Sequence, residues 1–182
     1  VIKRPIFEPY GLASVFSKNK TKKISSGIIP NQKKQSFVEK TMLWIRGNVF
    51  IPDARVFWVK PSVKFLKKYL QDNQIDTIIT TGPPHSLHLI GLQLKKELNI
   101  TWLADFRDPW TTIGYHKQLK LSSWAAKKHK DLEKEVMTTC DQLLVTSPTT
   151  KTEFEAITSK PIEVITNGYD VEKVIKKPLD EK

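Results

Sequence analysis

The chain reads as an α/β protein: a Rossmann-like open parallel sheet with helices on both faces. Three observations predict this. Short β-branched or apolar runs at 77–80, 101–104, 142–146 and 162–165 alternate with longer segments of helical periodicity, and such alternation implies parallel strands joined by right-handed crossovers. Loop-forming residues follow the runs, as in Gly82-Pro83-Pro84, Asp108-Pro109 and Asn167-Gly168. Finally, 182 residues with an apolar fraction of 39% and a charged fraction of 27% suit one soluble domain able to bury its own core.

The elements follow in order. Residues 11–35 are lysine-rich with little hydrophobic periodicity, and are expected to form a mobile basic loop. Ser36 is placed to cap a helix running to Arg46, with Phe37, Leu43 and Trp44 apolar, before Gly47-Asn48 breaks it. Asp53 is placed to cap a short turn. Pro61 suits the first position of a helix that carries Val63, Leu66 and Leu70 on one face and ends near Asp72-Asn73. Behind the strand at 77–80, residues 86–98 form a helical stripe of Leu87, Ile90, Leu94 and Leu98. Gly91 costs that helix about 1 kcal/mol relative to alanine, which points to close packing against the sheet. The strand at 101–104 precedes a long loop to about residue 121. Residues 123–138 are again helical, with Ala125, Leu132 and Val136 inward and His129 beside them as a hydrogen-bonded core residue. Ser147-Pro148 opens the last helix as cap and first-position proline, Phe154 anchors it, and the strand at 162–165 closes the series.

The net charge of +11 is unevenly spread. In the first forty residues nine lysines and arginines face only Glu8 and Glu39, an excess of +7. Such an excess attracts polyanions. Nucleic acid is not the expected partner, because the lysines lie among Ser, Asn, Gly and Gln without interleaved aromatics. The single cysteine, Cys140, excludes an internal disulfide and fits a reducing compartment. No apolar run approaches the roughly 20 residues that span a bilayer, and no signal-peptide pattern opens the chain.

In an open parallel sheet, ligands bind beyond the carboxyl ends of the strands, and three motifs gather there. In Gly82-Pro83-Pro84-His85-Ser86 the glycine permits a sharp turn and the prolines stiffen it. The helix start at His85 and Ser86 either receives a phosphate or sugar oxygen or simply caps the turn. His85 and His88 stand three residues apart, but without a Cys or carboxylate cluster no metal is expected. Asp105-Phe106-Arg107-Asp108-Pro109-Trp110 carries two carboxylates, a guanidinium and two aromatics. Arg107 can fork onto a phosphate, Asp105 and Asp108 can accept from hydroxyls or act as a base, and Trp110 can stack on a sugar. The alternative is internal: Arg107 paired to an aspartate, with Trp110 packed under the loop. Asn167-Gly168 is turn chemistry in the third loop.

Residues 81–86, 104–110 and 164–170 resemble the N-terminal, acceptor-side domain of bacterial glycosyltransferases of family 4. Trp44-Ile45-Arg46-Gly47-Asn48, Ile51-Pro52-Asp53-Ala54-Arg55 and Trp58 are similar to the subgroup with the Gly-Pro-Pro-His-Ser run. The resemblance implies a GT-B enzyme of two Rossmann-like domains that transfers a sugar with retention of configuration and without a metal or other cofactor. It implies Asp105, Arg107 and Asp108 as catalytic residues. Gly82, His85, Ser86, Trp110, Asn167 and Gly168 would be substrate contacts, with Asn167 and Gly168 marking the crossing to the second domain. Residues 1–166 then form a partial N-terminal domain and 167–182 an interdomain linker or tail. The family's opening strand with its glycine-rich loop, and its donor domain, find no counterpart here, so the chain is expected to be inactive alone. The partners implied are a nucleotide-sugar donor, bound mainly by the second domain, and a glycan or lipid-linked acceptor. With the basic loop added, the expected location is cytoplasmic, peripheral on an anionic membrane surface. A non-catalytic α/β module for an anion or sugar is the alternative.

Overall fold

In the computed structural model, residues 1–3, 5, 37–114 and 116–168 are described. The basic loop expected at 11–35, the Ser36 cap, Tyr169-Asp170 and the tail beyond lie outside them.

Helix α1 covers Phe37–Asn48. It runs through the break expected at Gly47-Asn48, because both residues are engaged there. Asn48 Nδ2 donates to Trp44 O one turn back, at 2.8 Å. At Gly47, an added Cβ would lie 2.5 Å from Leu121 Cδ2, so the absence of a side chain lets the helix approach the 119–122 segment. A 3₁₀ turn at Val56–Trp58 leads into α2, Val59–Asp72. Pro61 is therefore the third residue of α2, still within the turn whose N–H groups have no intrahelical partner. Strand β1, Thr77–Gly82, and strand β2, Thr101–Phe106, are two residues longer than the β-branched runs predict. Gly82, Asp105 and Phe106 thus belong to strand ends. Helix α3, Ser86–Glu97, joins these strands. A 3₁₀ turn at His116–Leu119 interrupts the long loop. Helix α4, Ser123–Thr139, strand β3, Gln142–Val145, helix α5, Pro148–Glu155, and strand β4, Ile162–Val164, complete the order. Ser122 and Ser147 cap α4 and α5 with their hydroxyls, the latter as expected.

The sheet is open and parallel, in the order β1-β2-β3-β4, as the alternating pattern predicts. Its two faces differ. Trp102, Ala104, Phe106, Leu143 and Val145 are at most 1% exposed. On that face Gly91 of α3 lies so close to Trp102 that a Cβ would sit 2.4 Å from the indole, the close packing its position predicts. Phe154 of α5 meets Phe106 edge-on at 5.2 Å, and Val136 and Met137 of α4 join the same core. The opposite face presents Ile79, 61% exposed, with Thr77, Thr81 and Thr101 exposed and Leu103, Asp105 and Leu144 half-buried. Where the sequence reading placed helices on both faces, the described helices that pack on the sheet occupy one. Strand order supplies the reason: crossovers of one hand between successive neighbours return every helix to the same side.

Candidate functional site at the carboxyl rim

The parallel register sets Gly82 beside Phe106, Phe106 beside Val145 and Val145 beside Val164, so the three predicted loops emerge at one rim, two from the neighbours β1 and β2 and the third from β4, beyond β3. Arg107 ties them together. Its backbone N–H donates to Gly82 O at 3.1 Å, and its own carbonyl accepts from Thr146 Oγ1 at 3.0 Å. Its guanidinium Nη2 donates to Asn167 Oδ1 at 2.6 Å. Arg107, Asp108, Asn167 and Gly168 are exposed, and Asp105 is half-buried on the open sheet face between Thr81 and Leu144. Among the described residues no ion pair joins Arg107 to Asp105 or Asp108. The internal pairing that would make this hexapeptide self-sufficient is not formed; the arginine reaches across to the third loop instead. Such an arrangement offers a cation with donors left over and two carboxylates able to accept from hydroxyls.

The other predicted site residues lie beneath that rim. Trp110 is 1% exposed. His85 lies parallel to its indole, ring centres 5.1 Å apart, and Trp110 Nε1 donates to His129 Nδ1 at 3.1 Å. This is packing under the loop, with no open indole face for a sugar to stack on. His129 Nε2 in turn donates to Gly47 O at 3.1 Å, so the ring is neutral with its proton on Nε2. It is the hydrogen-bonded core residue its stripe predicts. Ser86 is fully buried, and Asp53 grips it: Oδ2 accepts from Ser86 N–H at 2.8 Å and Oδ1 from its hydroxyl at 2.9 Å. Trp58 Nε1 donates to the same hydroxyl at 3.1 Å. The positive end of α3, read from the sequence as either a seat for a phosphate or sugar oxygen or a capped turn, is covered by a carboxylate of the protein itself. Asp53 also accepts from Arg55 N–H at 2.9 Å, the turn cap read from the sequence.

All four histidines of the chain belong to this layer. His85 and His88 stand 6.0 Å apart, His116 meets His129 at 4.8 Å, and Trp110 lies between the pairs. Burial, reinforced by the neighbouring imidazoles, holds His85 and His88 down to about 3 and His116 to about 4. His88 shares a 2.8 Å bond with Thr80 Oγ1, which also accepts from Trp102 Nε1. Gly82 is needed where the chain crosses this ring, since a Cβ would fall 2.5 Å from His88 Nε2. No group of three metal-ligating side chains occurs among the described residues.

Sequence reasoning missed Glu133. This α4 residue, 4% exposed, accepts from the N–H groups of Trp110 and Thr111 at 3.1 and 3.0 Å and from the Thr111 hydroxyl. Burial pushes its carboxyl above the usual carboxylate range, against these bonds. The signal was present in its spacing: Glu133 follows His129 by four residues and shares the inward face.

Searches of curated proteins and of solved structures gave no match. The sequence profile of Glycosyltransferase Family 4 matches residues 28–173, a span that holds all the described strands and all three rim loops. The chain belongs to glycosyltransferase family 4.

Proposed function

We propose that this chain is the acceptor-side part of a retaining glycosyltransferase. It would help move a sugar from a nucleotide-sugar donor to a glycan or lipid-linked acceptor. In that reaction the bond from the sugar's anomeric carbon to the donor phosphate breaks, and a bond to the acceptor oxygen forms. The acceptor hydroxyl passes its proton to one of the two carboxylates, Asp105 or Asp108. Asp105 and Asp108 orient that hydroxyl and receive its hydrogen bond, while Arg107 faces the negative charge that develops on the leaving phosphate. Gly82, Asn167 and Gly168 line the rim. His85, Ser86 and Trp110 hold it from below. The family membership supports the reaction class, and one observation carries the residue assignment: Arg107 spans three loops while its guanidinium stays exposed and free of both aspartates. Because these loops form one wall, the chain is expected to release no nucleotide from a panel of nucleotide sugars on its own.

The test is substitution in the full-length protein that carries this chain, with nucleoside diphosphate release and sugar transfer as readouts. Arg107→Ala and Asp108→Asn should each lower transfer about 100-fold, the scale seen when one charge-stabilising donor or one proton-accepting group is removed. Turnover unchanged in both variants would remove the assignment.

A further inference from the structure

We propose that Glu133 is a positioning residue for the transfer reaction: it fixes the backbone that presents the Asp108 carboxylate at the rim. This inference deepens the proposed function and rests on it. Asp108 is exposed and forms no ion pair among the described residues, so its aim depends on the chain to either side. Upstream, Arg107 is fastened, its N–H to Gly82 O at 3.1 Å and its carbonyl to Thr146 Oγ1 at 3.0 Å. Downstream, Pro109 has no N–H to give. The first backbone donor after Asp108 is therefore Trp110, and it donates to Glu133 Oε1 at 3.1 Å. Thr111 follows, with its N–H on the same oxygen at 3.0 Å and its hydroxyl on Oε2. One carboxylate thus takes three donors from two successive residues and closes the downstream end of the motif.

The anchor behind this grip is a packed helix. Glu133 belongs to α4 and is 4% exposed, and Val136 and Met137, one turn further on, are fully buried in the core. One turn earlier on the same face, His129 accepts from the Trp110 indole at 3.1 Å. The helix therefore holds Trp110 twice, by its backbone and by its ring. Burying a carboxylate is costly unless its oxygens are well used. That cost is visible here: burial raises the Glu133 carboxyl although the Thr111 and Trp110 bonds and the Lys130 charge draw it down. The residues it secures are the two that follow Asp108-Pro109. Supports mounted on a packed element hold a reacting group more closely than contacts within a loop can. A positioning residue differs from a plain loop anchor in one respect: its effect on turnover passes through Asp108.

The experiment is a double-mutant cycle between Glu133 and Asp108 in the full-length protein that carries this chain, read as kcat and KM for sugar transfer. Glu133→Ala should lower kcat on the order of 10- to 100-fold, up to the scale of a 1 Å misplacement, with KM for the nucleotide sugar unchanged. In the Asp108→Asn background the same change should cost no more than about twofold, because residues that act as one unit do not add. Glu133→Gln should restore kcat, since its amide oxygen still accepts both N–H groups and its amide nitrogen donates to Thr111 Oγ1. Amide hydrogen exchange should show Trp110 and Thr111 losing protection in Glu133→Ala while β1 and β2 keep theirs. Full, independent losses in the double variant would overturn the role, as would a glutamine variant as slow as the alanine one. So would unchanged protection at Trp110 and Thr111, or protection lost across β1 and β2, which would make Glu133 a support of the whole fold. Turnover unchanged by Asp108→Asn would sink the proposed function and this role with it. A slowed Asp108→Asn with independent losses would sink this inference alone.

Discussion

Above the carboxyl rim, Arg107, Asp108 and Asn167 stand in solvent; a few ångströms below, His85, Ser86 and Trp110 are at most 5% exposed. The two groups come from the same short motifs and from the same polar and aromatic residue types. What separates them is how each backbone segment leaves its strand. Phe106 ends β2 on the covered face, and Arg107 then turns outward to hold Gly82 and Asn167. By Trp110 the chain has turned back over Glu133 and His129. A motif rich in chemistry is thus divided between a layer that can meet a ligand and a layer that holds the first one still.

That division can be broken at the lower layer first. Trp110→Ala removes a buried indole and leaves His129 Nδ1 without its donor, so unfolding in denaturant should show a loss of about 3–5 kcal/mol. A variant that unfolded like the wild type would mean that the layer does not support the rim. Acid should act on the same layer. His85 and His88 are held near 3 in the fold against an ordinary value of 6.5, so between those values the unfolded chain binds more protons. Stability is complete above about pH 6.5 and falls as pH drops, by up to about 1.4 kcal/mol per pH unit for each of the two rings. Glu133, raised by burial, works in the opposite direction and softens the fall. Melting temperatures between pH 7.5 and 5 should therefore decline, and replacing His88 by glutamine should flatten the decline. The smallest effect belongs to the upper layer. Arg107→Ala should change stability by no more than about 0.5 kcal/mol. A large loss there would show that the arginine mainly fastens the loops together.

The sheet was legible in the sequence because its strands are short, β-branched and followed by turn residues, and Gly91 announced the close approach to Trp102. The strands run two residues further than their β-branched cores, since parallel pairing with a neighbour carries Thr81, Gly82, Asp105 and Phe106 along. Local composition placed three loops at one edge but left open which side chains face outward. Trp110 fits a sugar platform or a buried anchor equally well until its partners are known. Those partners, Glu133 and His129, lie 23 and 19 residues away, and the carboxylate on Ser86 comes from 33 residues upstream. Contacts at such separations leave no periodic trace. The one-sided placement of helices was likewise hidden, because it follows from strand order, which local patterns do not encode.

The Asp53 grip on Ser86 bears on where this unit can be cut. The first turn of α3 owes its fastening to a residue that precedes α2, so trimming the chain up to Val59 would leave an amide, a hydroxyl and the Trp58 contact unanswered at the foot of the central helix. A truncation series from the start of the chain should therefore fail before Asp53 is reached, because α1 also supplies the Gly47 carbonyl to buried His129 and Asn48 Oδ1 to Ser122, and every soluble version would still include that aspartate.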